Sequence, residues 1–109
     1  MRPTKSQIGR GADVVFHAAG NTGGGVMQAA KDAGKLSIGC DSNQDYIQPG
    51  SVLTSALKRV DVAVYKAFKA AKEGQWKAGQ TVLGLAEEGV GHFVSESCDF
   101  IRFILAGFI

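Results

Sequence analysis

Residues 11–40, GADVVFHAAGNTGGGVMQAAKDAGKLSIGC, constrain the fold more than any other part of the chain. Val14, Val15 and Phe16 put β-branched and aromatic side chains in one short run within residues 11–19. Such a run reads as a strand buried on both faces, as in a parallel sheet. A glycine-rich loop follows at residues 20–25. Val26, Ala29, Ala30 and Ala33 then recur at i, i+3, i+4 and i+7, which places them on one helical face. Asn21 or Thr22 can cap the start of that helix. Gly34 suits the position after its end, and Lys31 and Lys35 suit the negative end of its dipole. Residues 36–40 (LSIGC) form a second short strand. Strand, loop, helix and strand in so short a span make a βαβ unit, with parallel strands and a right-handed crossover.

The same alternation continues downstream. Residues 41–51 are a polar loop with a Pro49-Gly50 turn signal. Residues 52–58 (VLTSALK) read as a third strand, and residues 60–73 as a helix with an apolar stripe of Val60, Val64, Ala67, Phe68 and Ala71. Asp61 falls in its first turn, Lys69 and Lys72 near its end, and Gly74 stops it. Residues 81–85 (TVLGL) are a candidate fourth strand, with AEEGVG as the loop after it. The expected class is α/β, a three-layer sandwich around a parallel sheet. Residues 1–10 stand as an N-terminal extension, 11–92 as the folded lobe and 93–109 as an atypical apolar tail that fits neither a clean strand nor a clean amphipathic helix.

Bulk properties exclude several functions. At 109 residues there is room for one small domain. Twelve Lys and Arg against ten Asp and Glu leave a net charge of +2, dispersed along the chain, too little to argue for nucleic acid. The two cysteines, Cys40 and Cys98, form no CxxC pair, and the two histidines lie far apart, so no zinc site and no disulfide is expected. Cys40 reads as a small buried hydrophobe. The first residues read as no signal peptide. The tail FIRFILAGFI is about half the length of a transmembrane helix and carries Arg102, so no span is expected.

Ligands of open parallel sheets bind beyond the carboxyl ends of the strands, and three features fall there. Gly20, Asn21 and Thr22 follow the first strand, and the glycines let backbone N–H groups approach a polar ligand; the loop reads equally as a tight strand-to-helix turn. Asp41 follows the second strand and can accept two hydrogen bonds from a vicinal diol, or serve as an Asx turn or cap. Lys58 closes the third strand and can donate to a ligand hydroxyl or pair with Asp41, or sit solvated at a helix start. The glycines match neither a P-loop nor a dinucleotide GxGxxG in register. No serine sits in a GxSxG elbow, His17 reads as a satisfied core histidine, and Glu87 and Glu88 read as solvated. Trp76 reads as packing on the surface of the second helix. No nucleophile, base and orienter assemble, so no enzyme and no cofactor are expected.

GADVVFHAAGNTGGGVMQAAKDAG, IGCDSNQDY and PGSVLTSALKRVDVAVYKAFKAAKEGQW resemble the basic membrane protein family of solute-binding proteins, a group that includes purine-nucleoside-binding lipoproteins of ABC transporters. The resemblance covers about residues 11–91. It implies a lobe of a type I periplasmic-binding-protein fold, C-terminal in the family, and the delivery of a small polar solute such as a nucleoside to an ABC permease. It also implies a place in the periplasm or on the outer face of the plasma membrane, held there by a lipid anchor. In nucleoside-binding members the AAG-type loop, the Asp of the GxDSxQ-type segment and the Lys of the TSxxKR-type segment line the ribose side of the pocket. The matching positions are Gly20 with Asn21 and Thr22, Asp41, and Lys58. The family's first lobe, signal peptide and lipobox cysteine have no counterpart in these residues. On that ground the chain is expected to be a fragment holding one wall of the cleft. Two other readings stay open: a nucleotide-binding α/β enzyme domain using the glycine-rich loop, and a non-functional fragment whose apolar tail drives association.

Overall fold

The computed structural model describes residues 2–93. In chain order these form α1 (Arg2–Gly9), β1 (Val14–Phe16), a 3-10 turn (Gly20–Thr22), α2 (Gly23–Asp32), β2 (Leu36–Asp41), β3 (Val52–Lys58), α3 (Val60–Lys72) and β4 (Val90–Phe93). The strands form one four-stranded sheet in the order β1-β2-β3-β4. β1 and β2 are parallel, as the βαβ pattern requires, and β3 is parallel to β2 across the helix-free loop of residues 42–51. Val15 pairs with Ser37 and Asp41 with Leu57, with an irregularity between Ser37 and Ile38. The fold is α/β, and the described residues divide into two compact units, residues 2–57 with 92–93 and residues 58–91.

The first unit is built around α2. Its buried face, Val26, Met27, Ala29 and Ala30, packs on β1 and β2 with Val15 and Val52. Burying a side chain such as Val or Met stabilises by about 1.5–3 kcal/mol, so this patch is the main cohesive element of the unit. Small residues opposite it let the layers approach: Ser37 and Ser55 are fully buried. The helix stops where Gly34 takes a left-handed φ of 66°. Lys35 then reaches back to Asp13 at 2.5 Å, joining the two ends of the βαβ unit. That lysine holds the Asp13 carboxyl below its ordinary pKa, first by hydrogen bonding and then by its charge. The Pro49-Gly50 signal is realised as a turn in which Gly50 has φ 80° and Ser51 and Val52 both donate to the Gln48 carbonyl.

Several local expectations need correction. β1 is not buried on both faces. Val15 is buried, while Val14 and Phe16 are 43% and 57% exposed, because β1 is the first strand of the sheet and alternates inward and outward. Thr22 does occupy the N-cap of α2, but its hydroxyl makes no capping bond and instead donates to the Ala19 carbonyl at 2.6 Å. Residues 2–9 form a helix in contact with α2, with Thr4 buried and Pro3 in the first turn where no N–H is needed.

The second unit consists of α3, whose bounds match the sequence pattern, and the loop after it. Its apolar stripe is not a core face here, since no residue of α3 is buried. Val64, Ala67, Phe68 and Ala71 meet Trp76 instead, around an open apolar cavity of about 270 Å³. Residues 81–85 are not a strand. The Gly84 N–H donates to Glu87 Oε2, Glu88 donates to the Leu85 carbonyl and Gly89 to that of Gly84, so a closed turn takes the groups a ladder would need. Gly89 lies so close to Leu83 that a Cβ would come within 2.4 Å of its carbonyl oxygen. The strand lies further on, at Val90–Phe93. No helix among the described residues is long and apolar enough to cross a membrane.

Candidate functional site

The carboxyl ends of β1 and β2 open onto a cavity of about 320 Å³, lined by His17, Gly20, Asn21, Gly24, Cys40, Asp41, Ser42, Gln44 and Ile47. Its size sits at the lower end of the usual range for ligand pockets, roughly 300–1,000 Å³. One side is the turn from β1 into α2. Gly20 adopts φ 52°, a left-handed conformation that other residues rarely take, and nothing lies within 4 Å of where its Cβ would be. Gly20 and Asn21 are both exposed residues on this side of the cavity.

The opposite side is the end of β2. Asp41 has φ 70°, and the Ser42 N–H donates to the Cys40 carbonyl at 2.9 Å across it. Asp41 thus stands at the apex of a three-residue turn of the rare, strained class. Strain of this kind costs about 1–3 kcal/mol and persists where the surroundings hold it. They do so here. Gln44 Oε1 accepts from the Cys40 N–H at 2.8 Å, and the Gln44 N–H donates to Ser55 Oγ at 2.9 Å. Ser55 in turn donates to Asp45 Oδ1 at 2.5 Å, and the Asp45 N–H donates to Asn43 Oδ1. The approach of this loop to β3 depends on Gly39, where a Cβ would lie 2.5 Å from Ser55 Oγ and 2.9 Å from Gln44 Cβ. The segment that carries Asp41 is thereby bolted to the sheet from beneath, while the Asp41 side chain stays exposed.

His17, which also lines the cavity, is not the satisfied core histidine expected from the sequence. The residue is 5% exposed, and neither Nδ1 nor Nε2 has a hydrogen-bond partner. Leaving a buried polar group unsatisfied costs about 1–3 kcal/mol. Its ring lies against Gly23, where a Cβ would come within 2.0 Å of Cε1.

Of the five residues marked in the sequence, Gly20, Asn21 and Asp41 come together around this cavity. Thr22 is the next residue of the same turn and spends its hydroxyl on Ala19. Lys58 is the last residue of β3, directly after the Leu57 that pairs with Asp41, and the second unit begins with it. Ser42 adjoins Asp41 at the end of the second strand, whereas nothing in the local pattern marks Gln44 and Ile47, which reach the cavity through the path of the loop after β2. Cys40, expected to be buried, is half-buried at the cavity wall. Among the described residues no three His, Cys, Asp or Glu side chains gather to hold a metal ion.

Comparison with known proteins adds to this geometry. The model of the family described as ABC transporter substrate-binding protein, PnrA-like, matches residues 4–101. An uncharacterized lipoprotein of Pyrococcus abyssi is 43% identical over 90 residues, which cover 77% of this chain and 22% of that protein. Basic membrane protein D of Borreliella burgdorferi is 42% identical over 101 residues, 88% of this chain and 30% of its own length. The crystal structure of an ABC transporter system solute-binding protein from Aeropyrum pernix K1 superposes with a TM-score of 0.72 at 35% identity, over 98% of this chain and 30% of that one. The chain thus spans less than a third of the length of each of these proteins.

Proposed function

Since the chain belongs to the family of PnrA-like ABC transporter substrate-binding proteins, we propose that it supplies one wall of a solute-binding cleft whose ligand is a nucleoside, handed on to a membrane permease. The observation that carries this reading is the convergence of Gly20, Asn21 and Asp41 on one cavity at the strand ends. A carboxylate acceptor opposite an exposed glycine backbone suits a vicinal diol, which offers two donors to the carboxylate and two acceptors to N–H groups. Thr22 shapes the glycine turn, and Lys58 adds a cationic donor to the ligand's sugar. The work is binding and release, with no bond made or broken, and no cofactor enters. Relatives named as lipoproteins support an extracytoplasmic place on a lipid anchor.

Calorimetric titration of the chain with inosine tests the reading. Saturable heat that falls at least tenfold in affinity in Asp41→Ala is the expected result. Inosine binding that is unchanged in Asp41→Ala, or absent from the wild type, overturns it.

A further inference from the structure

We propose that Gln44 is a positioning residue of the cleft: its side-chain amide holds Asp41 in the left-handed turn that sets the direction of the carboxylate toward the solute. The proposal rests on the nucleoside reading of the cavity and extends it to a residue that acts through Asp41.

The sheet alone does not fix this turn. Along a strand, successive N–H groups face opposite neighbours. The Leu36 N–H donates to the Asp13 carbonyl on the β1 side, and the Ser37 N–H to the Ser51 carbonyl on the β3 side. Counting in twos from Leu36 puts the Cys40 N–H on the β1 side, beyond Ile38, the last residue of β2 that pairs with β1. β1 has already ended, at Phe16. Gln44 Oε1 accepts that N–H at 2.8 Å, where a longer β1 would have supplied a carbonyl. The Cys40 carbonyl accepts from the Ser42 N–H at 2.9 Å. The backbone just before Asp41 is thus held at its N–H by Gln44 and at its carbonyl across Asp41 itself. Gln44 is anchored in turn. Its own N–H donates at 2.9 Å to Oγ of Ser55, which is fully buried. Gln44 is half-buried and lines the same cavity as Asp41.

A positive φ outside glycine is uncommon and persists only where neighbours over-determine it, and Asp41 has φ 70°. Removing the Gln44 oxygen leaves the Cys40 N–H to water and lets the Asp41 backbone relax to negative φ, which re-aims its carboxylate. The test uses the full chain, inosine as the probe, and Gln44→Met, which keeps the length of the side chain without its oxygen. NMR titration gives affinity in the wild type, Gln44→Met, Asp41→Ala and the double variant. The amide-to-Hα NOE within Asp41, strong at positive φ, reports its backbone. Gln44→Met should lose about tenfold in inosine affinity, equivalent to about 1.4 kcal/mol, with a weaker Asp41 NOE and faster exchange of the Cys40 amide. In the Asp41→Ala background the same change should shift affinity by no more than about twofold. Gln44→Glu, which keeps an acceptor for Cys40, should restore the NOE and the slow exchange. If Gln44→Met does not fold, Gln44→Asn, a methylene too short to reach Cys40, takes its place. An unchanged Asp41 NOE, an unchanged affinity, or equal losses with and without the Asp41 carboxylate overturns the positioning role; the nucleoside reading then stands on the loss in Asp41→Ala. Failure of the wild type to bind inosine overturns both.

Discussion

Two neighbouring glycines at the start of α2 should respond to the same substitution with opposite signs. At Gly23 an alanine Cβ would fall 2.0 Å from His17 Cε1 and 2.5 Å from both ring nitrogens, well inside contact distance. The ring is 5% exposed and can yield only by shifting into the cavity that His17 lines. Overpacking of this kind costs about 1–3 kcal/mol. Against that stands the gain from replacing a helical glycine with alanine, roughly 0.5–1 kcal/mol. Gly23→Ala should therefore destabilise by about 1–2 kcal/mol. At Gly24 nothing lies within 4 Å of the added Cβ, so only the gain remains and Gly24→Ala should stabilise by up to about 1 kcal/mol. Urea unfolding followed by circular dichroism reads the contrast. With a slope of about 1–3 kcal/mol per molar for small proteins, a difference of about 1–3 kcal/mol should separate the two midpoints by roughly 0.3–3 M, with slopes unchanged. Equal midpoints, or a more stable Gly23→Ala, would refute the packing of His17 on the helix start.

Gly39→Ala should push Ser55 and the loop carrying Asp41 apart, since its Cβ would meet Ser55 Oγ at 2.5 Å; the expected cost is about 1–3 kcal/mol in urea unfolding, with weakened inosine binding in calorimetry. Ser55→Ala removes the acceptor for the Gln44 N–H and the donor to Asp45 Oδ1, leaving buried groups unmet. It should lower stability by about 2 kcal/mol, measured as a reduced urea midpoint. Asp61 is held down from 3.8 to about 2, chiefly by its hydrogen bonds from Arg59 and with help from the Val62 N–H. A carboxyl depressed by folding stabilises fully above its unfolded value and loses that contribution as pH falls through its folded one. Carbon-detected NMR should find Asp61 titrating at about 2, and Arg59→Gln should move it back toward 3.8.

The parts of the fold that can be read from local pattern are those whose causes are local. Val15 and the Val26, Ala29 and Ala30 face announce a strand and a helix through spacing, and Gly34 announces the helix end because few other residues take φ 66°. The ends of β3 and α3 follow for the same reason. The parallel pairing of β1 and β2 follows in turn from the helical connection between them, and with it the cavity's place at the strand ends beside Gly20 and Asp41. What stays illegible arises between distant residues. In α1 the only large aliphatic side chain is Ile8, too little to make a periodic pattern. TVLGL has strand composition, yet Glu87 and Gly89 close a turn on it that no propensity registers. The left-handed turn at Asp41 depends on Gln44 and Ser55, and the unmet nitrogens of His17 become visible only once Gly23 is seen to lie against the ring.

Intermolecular NOEs between the ribose protons of inosine and the backbone amides of the chain test the central claim most directly, because they report which wall of the ligand faces which residues. The account predicts contacts from the ribose to Gly20, Asn21 and Asp41, the three sequence-marked residues that line the cavity. Ribose contacts that fall instead on Trp76 and Phe68, beside the apolar cavity of the second unit, would contradict it.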